Sequence, residues 1–187
     1  MKVFTRGIPF LIIRCELMKI DLDNILKNEI VKEEYRTAFL LNMFRKLCSK
    51  MEKDKEIKDE IKALFRQTFD SKITTKLVVE KYIGFSLDDE DATIVEKWIR
   101  ANLYKNDRRI PISGEIKNGL YKKQNGRCQL CGEDLDLDWS KIHVDHIIPW
   151  KLVGDELEDN YQLLCSVCNE SKSAKTDYIF KYLIMLG

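Results

Sequence analysis

Apolar residues recur at gaps of three and four through the first hundred positions of the chain. Between Asp23 and Ser49 they fall at Ile25, Leu26, Ile30, Val31, Tyr35, Ala38, Phe39, Leu40, Leu41, Met43, Phe44 and Leu47. That spacing places them on one buried helical face, with Asp21 or Asp23 available as the cap. Lys50 to Asp59 is almost all charge and reads as a solvated helix end or a connector. Ile57, Ile61, Leu64 and Phe65 then resume the helical spacing. Ser71 to Tyr82 predicts a further helix with Leu77, Val78 and Tyr82 on one side, and Gly84 breaks it. Ser86 followed by Asp88, Asp89 and Glu90 marks another start, because acids favour the positive end of a helix. Ala92, Val95, Trp98, Ile99 and Leu103 give that helix its apolar face.

The helical pattern stops there. Residues 104–127 are punctuated by Pro111, Gly114 and Gly119, and no helix is expected in them. Further on, Lys141 to His146 has strand character around Ile142 and Val144, and Asn160 to Leu164 is a second short strand. Cys168 to Leu186 reads as helical in one or two pieces. The expected fold class is α+β: a mainly helical domain over 1–105, then a small domain over 106–187 with β-β-α order.

Composition excludes some classes. The 187 residues are 44% hydrophobic, too apolar for disorder, and carry few Gly and Pro. Lys+Arg is 32 against 31 acids, so whole-chain charge gives no support to nucleic-acid binding. The local picture differs. Lys105, Arg108, Arg109, Lys117, Lys122, Lys123 and Arg127 face only Asp107 and Glu115 in one stretch. The apolar run Ile8–Ile13 is too short for a membrane span, which needs about 20 residues. A cytoplasmic protein without membrane partners is expected, and disulfides are not. Met18 offers a second start, so residues 1–17 are read as an extension outside the compact fold.

Four of the six cysteines come as two pairs, Cys128-x-x-Cys131 and Cys165-x-x-Cys168, 33 residues apart. Cys15 and Cys48 stand alone and read as ordinary thiols. Each pair can turn both thiolates toward one ion, and together they suit a tetrahedral zinc site. A redox Cys-x-x-Cys would leave the second pair unexplained. Four cysteine ligands leave no open position, so this zinc would hold the fold and do no chemistry. That matters where roughly 80 residues must form a core.

Between and beyond the pairs lie His143-Val144-Asp145-His146-Ile147-Ile148-Pro149, Asn160-Tyr161-Gln162-Leu163-Leu164-Cys165 and Cys168-Asn169-Glu170-Ser171-Lys172. Phosphodiester hydrolysis needs a base near neutral pH, which suits His146. It also needs neutralisation of negative charge on the phosphate, which suits a divalent cation. Such a cation takes one or two protein oxygens and keeps several waters, and Asp145 and Asn169 are oxygens of that kind. Asn160 could orient His146, and Lys172 could contact a phosphate. Neighbours on a strand point to opposite faces, so Asp145 and His146 share a site only where the strand ends or bulges. Taken singly, each of these residues reads equally as a solvated polar side chain.

As a set, Cys-x-x-Cys-Gly, Val-Asp-His-Ile-Ile-Pro, Asp-Asn-Tyr-Gln-Leu-Leu-Cys and Cys-Asn-x-x-Lys resemble the HNH endonuclease family. The lead-in Gln124-Asn125-Gly126-Arg127-Cys128 fits as well. The resemblance covers about residues 108–175. It implies the ββα-metal fold, with His146 as the general base and Asp145 and Asn169 as ligands of Mg²⁺ or Mn²⁺. It implies that Asn160 steadies the base and its loop, and that Cys128, Cys131, Cys165 and Cys168 hold structural zinc. Asparagine at 169 makes this the H-N-N variant. Lys172 matches a lysine common in the family, of less settled role. His143 is not required by the motif; it is read as a surface residue or a supporting neighbour, with metal ligation the alternative.

The resemblance implies a metal-dependent endonuclease that cleaves DNA; the alternative is a zinc-ribbon module that binds nucleic acid or protein without cutting. Such a module would need the cysteines and not His146, Asp145, Asn160 and Asn169. The implied products carry 5′-phosphate and 3′-hydroxyl ends. The backbone of double-stranded DNA would be gripped by Arg108, Arg109, Lys122, Lys123, Arg127 and Lys172, and binding should weaken with salt. A restriction-type, phage or defence setting is expected. The helical domain would recognise DNA, dimerise or bind a partner. Double-strand cleavage by one motif copy per chain suggests a homodimer.

Overall fold

A computed structural model describes residues 29–136 and 138–172. The readings of residues 1–17, Met18, Cys15, the cap at Asp21 or Asp23 and the helical tail beyond residue 172 lie outside the described residues.

Four helices come first: α1 Glu29–Lys53, α2 Lys55–Gln67, α3 Ser71–Ile83 and α4 Asp89–Tyr104. Their boundaries have local causes. Asp54 accepts from the Glu56 and Ile57 amides at 2.9 and 3.4 Å and so starts α2 inside the charged stretch. Asp70 does the same for α3, accepting from Lys72 and Ile73 at 2.9 and 3.1 Å. At the far end of α3, Gly84 adopts φ 75°, where its amide reaches the Glu80 carbonyl at 2.9 Å. Asp88, not Ser86, caps α4, accepting from Asp91 N at 2.8 Å. Arg36 of α1 closes on that acidic first turn, 2.6 Å from Asp91 and 3.0 Å from Glu90.

The four helices bury one core. Phe44, Leu40, Leu41, Leu47, Ile61, Val78, Val79, Val95 and Ile99 are at most 1% exposed within it. Trp98 lies there too, as its helical spacing requires, with its ring 5.8 Å from that of Phe44.

The segment 104–127 differs from its sequence reading. A helix, α5, runs from Gly114 to Lys123. Ser113 caps it, accepting from Ile116 N at 3.3 Å. None of its residues is fully buried; Leu120 and Tyr121 lean on a second, smaller core. A helix that buries so little writes no apolar stripe, and Gly114 and Gly119 mask what remains.

Two strands follow, β1 Ile142–His146 and β2 Tyr161–Cys165, with α6 Trp150–Val153 between them and α7 Ser166–Lys172 after. The strands are antiparallel, with Ile142 opposite Cys165 and His146 opposite Tyr161. The β-β-α order expected from the pattern is present, and the fold is α+β. Cys128, Leu135, Ile142, Leu163 and Leu164 form the second core.

The first core draws residues from both sides of residue 105. Ile148, Leu152 and Val153, from the connection between the strands, are buried in the helical core. Asn102 Nδ2, itself buried, donates to the Leu152 carbonyl at 2.6 Å. Asn106 donates from backbone and side chain to Glu156 Oε1, both at 2.8 Å, and Lys105 Nζ donates to the Lys151 carbonyl. Gly154 sits at this seam with φ +66°, and a Cβ there would lie 2.7 Å from Lys105 Cβ. Both the backbone angle and the close approach require glycine. Among the described residues no helix is long and apolar enough to cross a membrane.

Candidate functional site

The four paired cysteines converge. Their Sγ atoms all lie within 4.8 Å of one another. The first pair sits in a tight turn in which Cys128 N donates to the Glu133 carbonyl at 2.8 Å and Gly132 N to the Cys128 carbonyl at 2.9 Å. The second pair is placed by a change of element: Cys165 ends β2 and Cys168 lies in α7. A tetrahedron of zinc–sulfur bonds has edges of about 3.8 Å. Cys131 and Cys165 Sγ are 3.9 Å apart. Burial opposes ionisation of Cys128, but the backbone N–H groups of Cys131, Cys165 and Leu130 outweigh it and hold the thiol down to about 7. Burial and the neighbouring thiols push Cys131 and Cys168 the other way, up from the ordinary thiol value; the thiolate is the form that binds a metal. The cluster fits zinc in donor type, number and spacing.

The far end of β1, away from Cys165, opens on a cleft lined by Asp145, His146, Asn169, Trp150, Asp155 and Arg109, among others. His146 is the last residue of β1, so strand alternation no longer separates it from Asp145. Asn169 reaches the same cleft from α7. The oxygens of Asp145 and Asn169 are hard donors that suit a divalent cation keeping most of its waters.

Asn160 is 3% exposed, and its amide is spent on one residue of the loop after His146. It accepts from Ile148 N at 2.8 Å and donates to Ile148 O at 3.0 Å, while its carbonyl accepts from Ile147 N at 2.9 Å. It clamps the loop; the ring of His146 is held by another residue. His146 Nε2 lies 2.9 Å from Asp155 Oδ1, between side chains 10% and 4% exposed. Tyr161 OH donates to the same oxygen at 2.8 Å. Trp150 Nε1 and the Ile110 amide donate to Oδ2, each at 2.9 Å. Burial works against the charged form of Asp155, yet these four donors overcome it and hold its carboxyl at about 2.

Sequence reasoning missed Asp155. It stands in a run with Glu156, Glu158 and Asp159 that reads as solvated charge. Only the three-dimensional convergence of donors separates it from its neighbours.

Lys172 departs from its expected place. It is 1% exposed and cannot reach a phosphate in this arrangement. Its ammonium lies 2.7 Å from Asp145 Oδ2 and donates to the His146 carbonyl at 2.7 Å. α7 packs across the end of β1, so a lysine in its last turn is driven inward, where a carboxylate meets it. Gln162 Nε2 adds a weaker contact to Asp145 Oδ2 at 3.4 Å.

Other predicted residues scatter. His143 Nε2 lies 3.2 Å from Ser166 Oγ, tying β1 to α7 rather than lining the Asp145 cleft. Arg109 lines the cleft with its guanidinium 5.1 Å from the Trp150 ring centre. Arg127 pairs with Asp134 at 3.1 Å across the first cysteine turn. Arg108, Lys122 and Lys123 are exposed.

Residues 128–175 match the family model described as HNH endonuclease. The matched segment carries the four cysteines with Asp145, His146, Asp155, Asn160 and Asn169, while Arg109 and the helices before it lie outside the match. The chain is also similar to the CRISPR-associated endonuclease Cas9 of Streptococcus mutans serotype c, with 46% identity over 55 residues. That stretch is 29% of this chain and 4% of the relative, so the chain spans a small fraction of the relative's length. No solved structure matches.

Proposed function

We propose that the chain is a metal-dependent endonuclease that hydrolyses phosphodiester bonds in double-stranded DNA. One observation carries this reading: Asp145, His146 and Asn169 meet in a single cleft at the end of β1, with an ionised carboxylate behind the histidine.

The residues have separable tasks. With Nε2 turned to Asp155, His146 offers Nδ1 to a water in the cleft and takes its proton. Asp145 and Asn169 would hold Mg²⁺ or Mn²⁺, an ion that would supply positive charge to offset the phosphate's. Lys172 pins Asp145 in place, and Asn160 fixes the loop that follows His146. Cys128, Cys131, Cys165 and Cys168 would hold a zinc ion that would brace the strands carrying these groups. Arg109 stands at the cleft to meet the DNA backbone, with Arg108, Lys122, Lys123 and Arg127 along the approach to it.

The helical part to residue 105 would recognise the DNA, pair two copies or bind a partner protein. Each centre cuts one strand, so a double-strand break calls for two copies. The similarity to a CRISPR-associated endonuclease favours a defence or restriction-type setting in the cytoplasm.

The test is cleavage of supercoiled plasmid with Mg²⁺ or Mn²⁺, with and without chelator. Chelator should abolish cutting, and His146→Ala should slow it by about 100-fold or more. A wild-type protein that leaves modified and unmodified DNA intact under every metal tried would sink the proposal.

A further inference from the structure

We infer that Asp155 is the positioning residue of His146, fixing both its ring orientation and the nitrogen that carries its proton. This inference rests on the nuclease reading above and extends it to a residue outside the motif.

The argument is one of lone pairs. An ionised carboxylate offers about four acceptor sites and no donor. On Asp155 all four face donors: His146 Nε2 and Tyr161 OH at Oδ1, Trp150 Nε1 and Ile110 N at Oδ2. Trp150 Nε1 and Ile110 N can only donate, and the four hydrogen bonds together hold the carboxyl down at about 2. The carboxylate therefore remains ionised, and Nε2 must bring the hydrogen. The other tautomer would aim a nitrogen lone pair at a carboxylate lone pair. With hydrogen on Nε2, Nδ1 keeps its lone pair and is the basic atom.

Orientation is fixed as well. The Tyr161 ring packs against the imidazole with centroids 4.8 Å apart, so the ring has little room to turn. The donors come from four places in the fold: the end of β1, α6, β2 and the segment leaving the helices. Asn160, whose amide is spent on Ile148, acts on the loop and not on the ring.

The chain has two histidines, so ring-nitrogen NMR spectra contain two spin systems, and His146→Ala assigns them. The experiment uses the full chain at a pH above imidazole titration. In the wild type the His146 proton should sit on Nε2 and exchange slowly with water. In Asp155→Ala that slow proton should vanish. Single-turnover cleavage should fall by about 100-fold or more at unchanged KM. Asp155→Glu should recover part of both. A wild-type His146 protonated on Nδ1 overturns the inference, whether or not the variants fold. So does an Asp155→Ala protein that keeps its slow Nε2 proton, or one that loses only KM. A wild type with the proton on Nε2 that cuts no DNA overturns the nuclease reading instead, and the two failures are thereby told apart.

Discussion

Cys48 and Cys128 are buried almost equally, at 1% and 2% exposure, in the helical core and the zinc-type module. Their thiols move in opposite directions. Burial pushes Cys48 up to about 12. At Cys128 burial pushes the same way, but three backbone N–H groups reverse it and bring the thiol to about 7. Depth alone does not decide ionisation; the donors around the sulfur do. The difference extends to the regions themselves. The helical part is held by apolar area, with large side chains such as Phe44 and Leu47 out of water. Among the described residues, the module's own core gathers five buried apolar side chains, Cys128 included, beside a cluster of thiols shaped for an ion. One region is built on burial, the other on coordination.

That contrast is open to attack at several strengths. Metal removal should have the largest effect, since structural zinc in small domains is worth about 10–16 kcal/mol in apparent terms. A strong chelator, or Cys128→Ser, should abolish hydrogen-exchange protection in β1 and β2 and leave α1 to α4 protected. Simultaneous melting of the helices would break the comparison. Next comes Leu152→Ala, at a residue of the module's connection buried in the helical core. Loss of a buried leucine costs about 2–5 kcal/mol. Denaturant unfolding should report that loss, and plasmid cleavage should fall although Leu152 lies outside the cleft.

Cys48 provides a smaller and sharper test. Its folded thiol stays neutral up to about 12, whereas an unfolded one ionises near its ordinary value of about 8.5. The stability from its neutral burial is complete below that ordinary value and declines as pH rises toward 12. The slope is about 1.4 kcal/mol per pH unit. Denaturation at a series of alkaline pH values should show a steeper decline in wild type than in Cys48→Ala, where Tyr161, raised to about 12 by burial and Asp155, still contributes. Smallest is Asp54→Ala. It removes the cap of α2 and should cost about 1 kcal/mol in thermal unfolding, without change in cleavage.

The sequence pattern was most informative where burial is one-sided and repeated. The spacing of Ile61 and Phe65, or of Val95 and Ile99, records a helix pressed on a core. The strands were legible for a similar reason, with Ile142 and Leu163 marking the inner positions. α5 was not, because it buries nothing completely. The cysteines declared themselves by spacing, and the motif residues Asp145, His146 and Asn169 do meet. Asp155 was hidden among acids of identical chemistry. Lys172 misled because a charged side chain in a last turn is usually solvated. The shared core left a trace: Ile148, Leu152 and Val153 are apolar residues in a connection, and an apolar connection needs a cover from elsewhere in the fold.

The seam at Gly154 also bears on transplantation. The stretch that follows His146 and supplies Asp155 is packed partly on α4, through Leu152 and Val153. A graft of residues 106–172 onto another scaffold would carry the reactive groups and leave behind the surface that shapes them. A working chimera would have to bring the last turns of α4 along, or offer the connection an equivalent apolar berth.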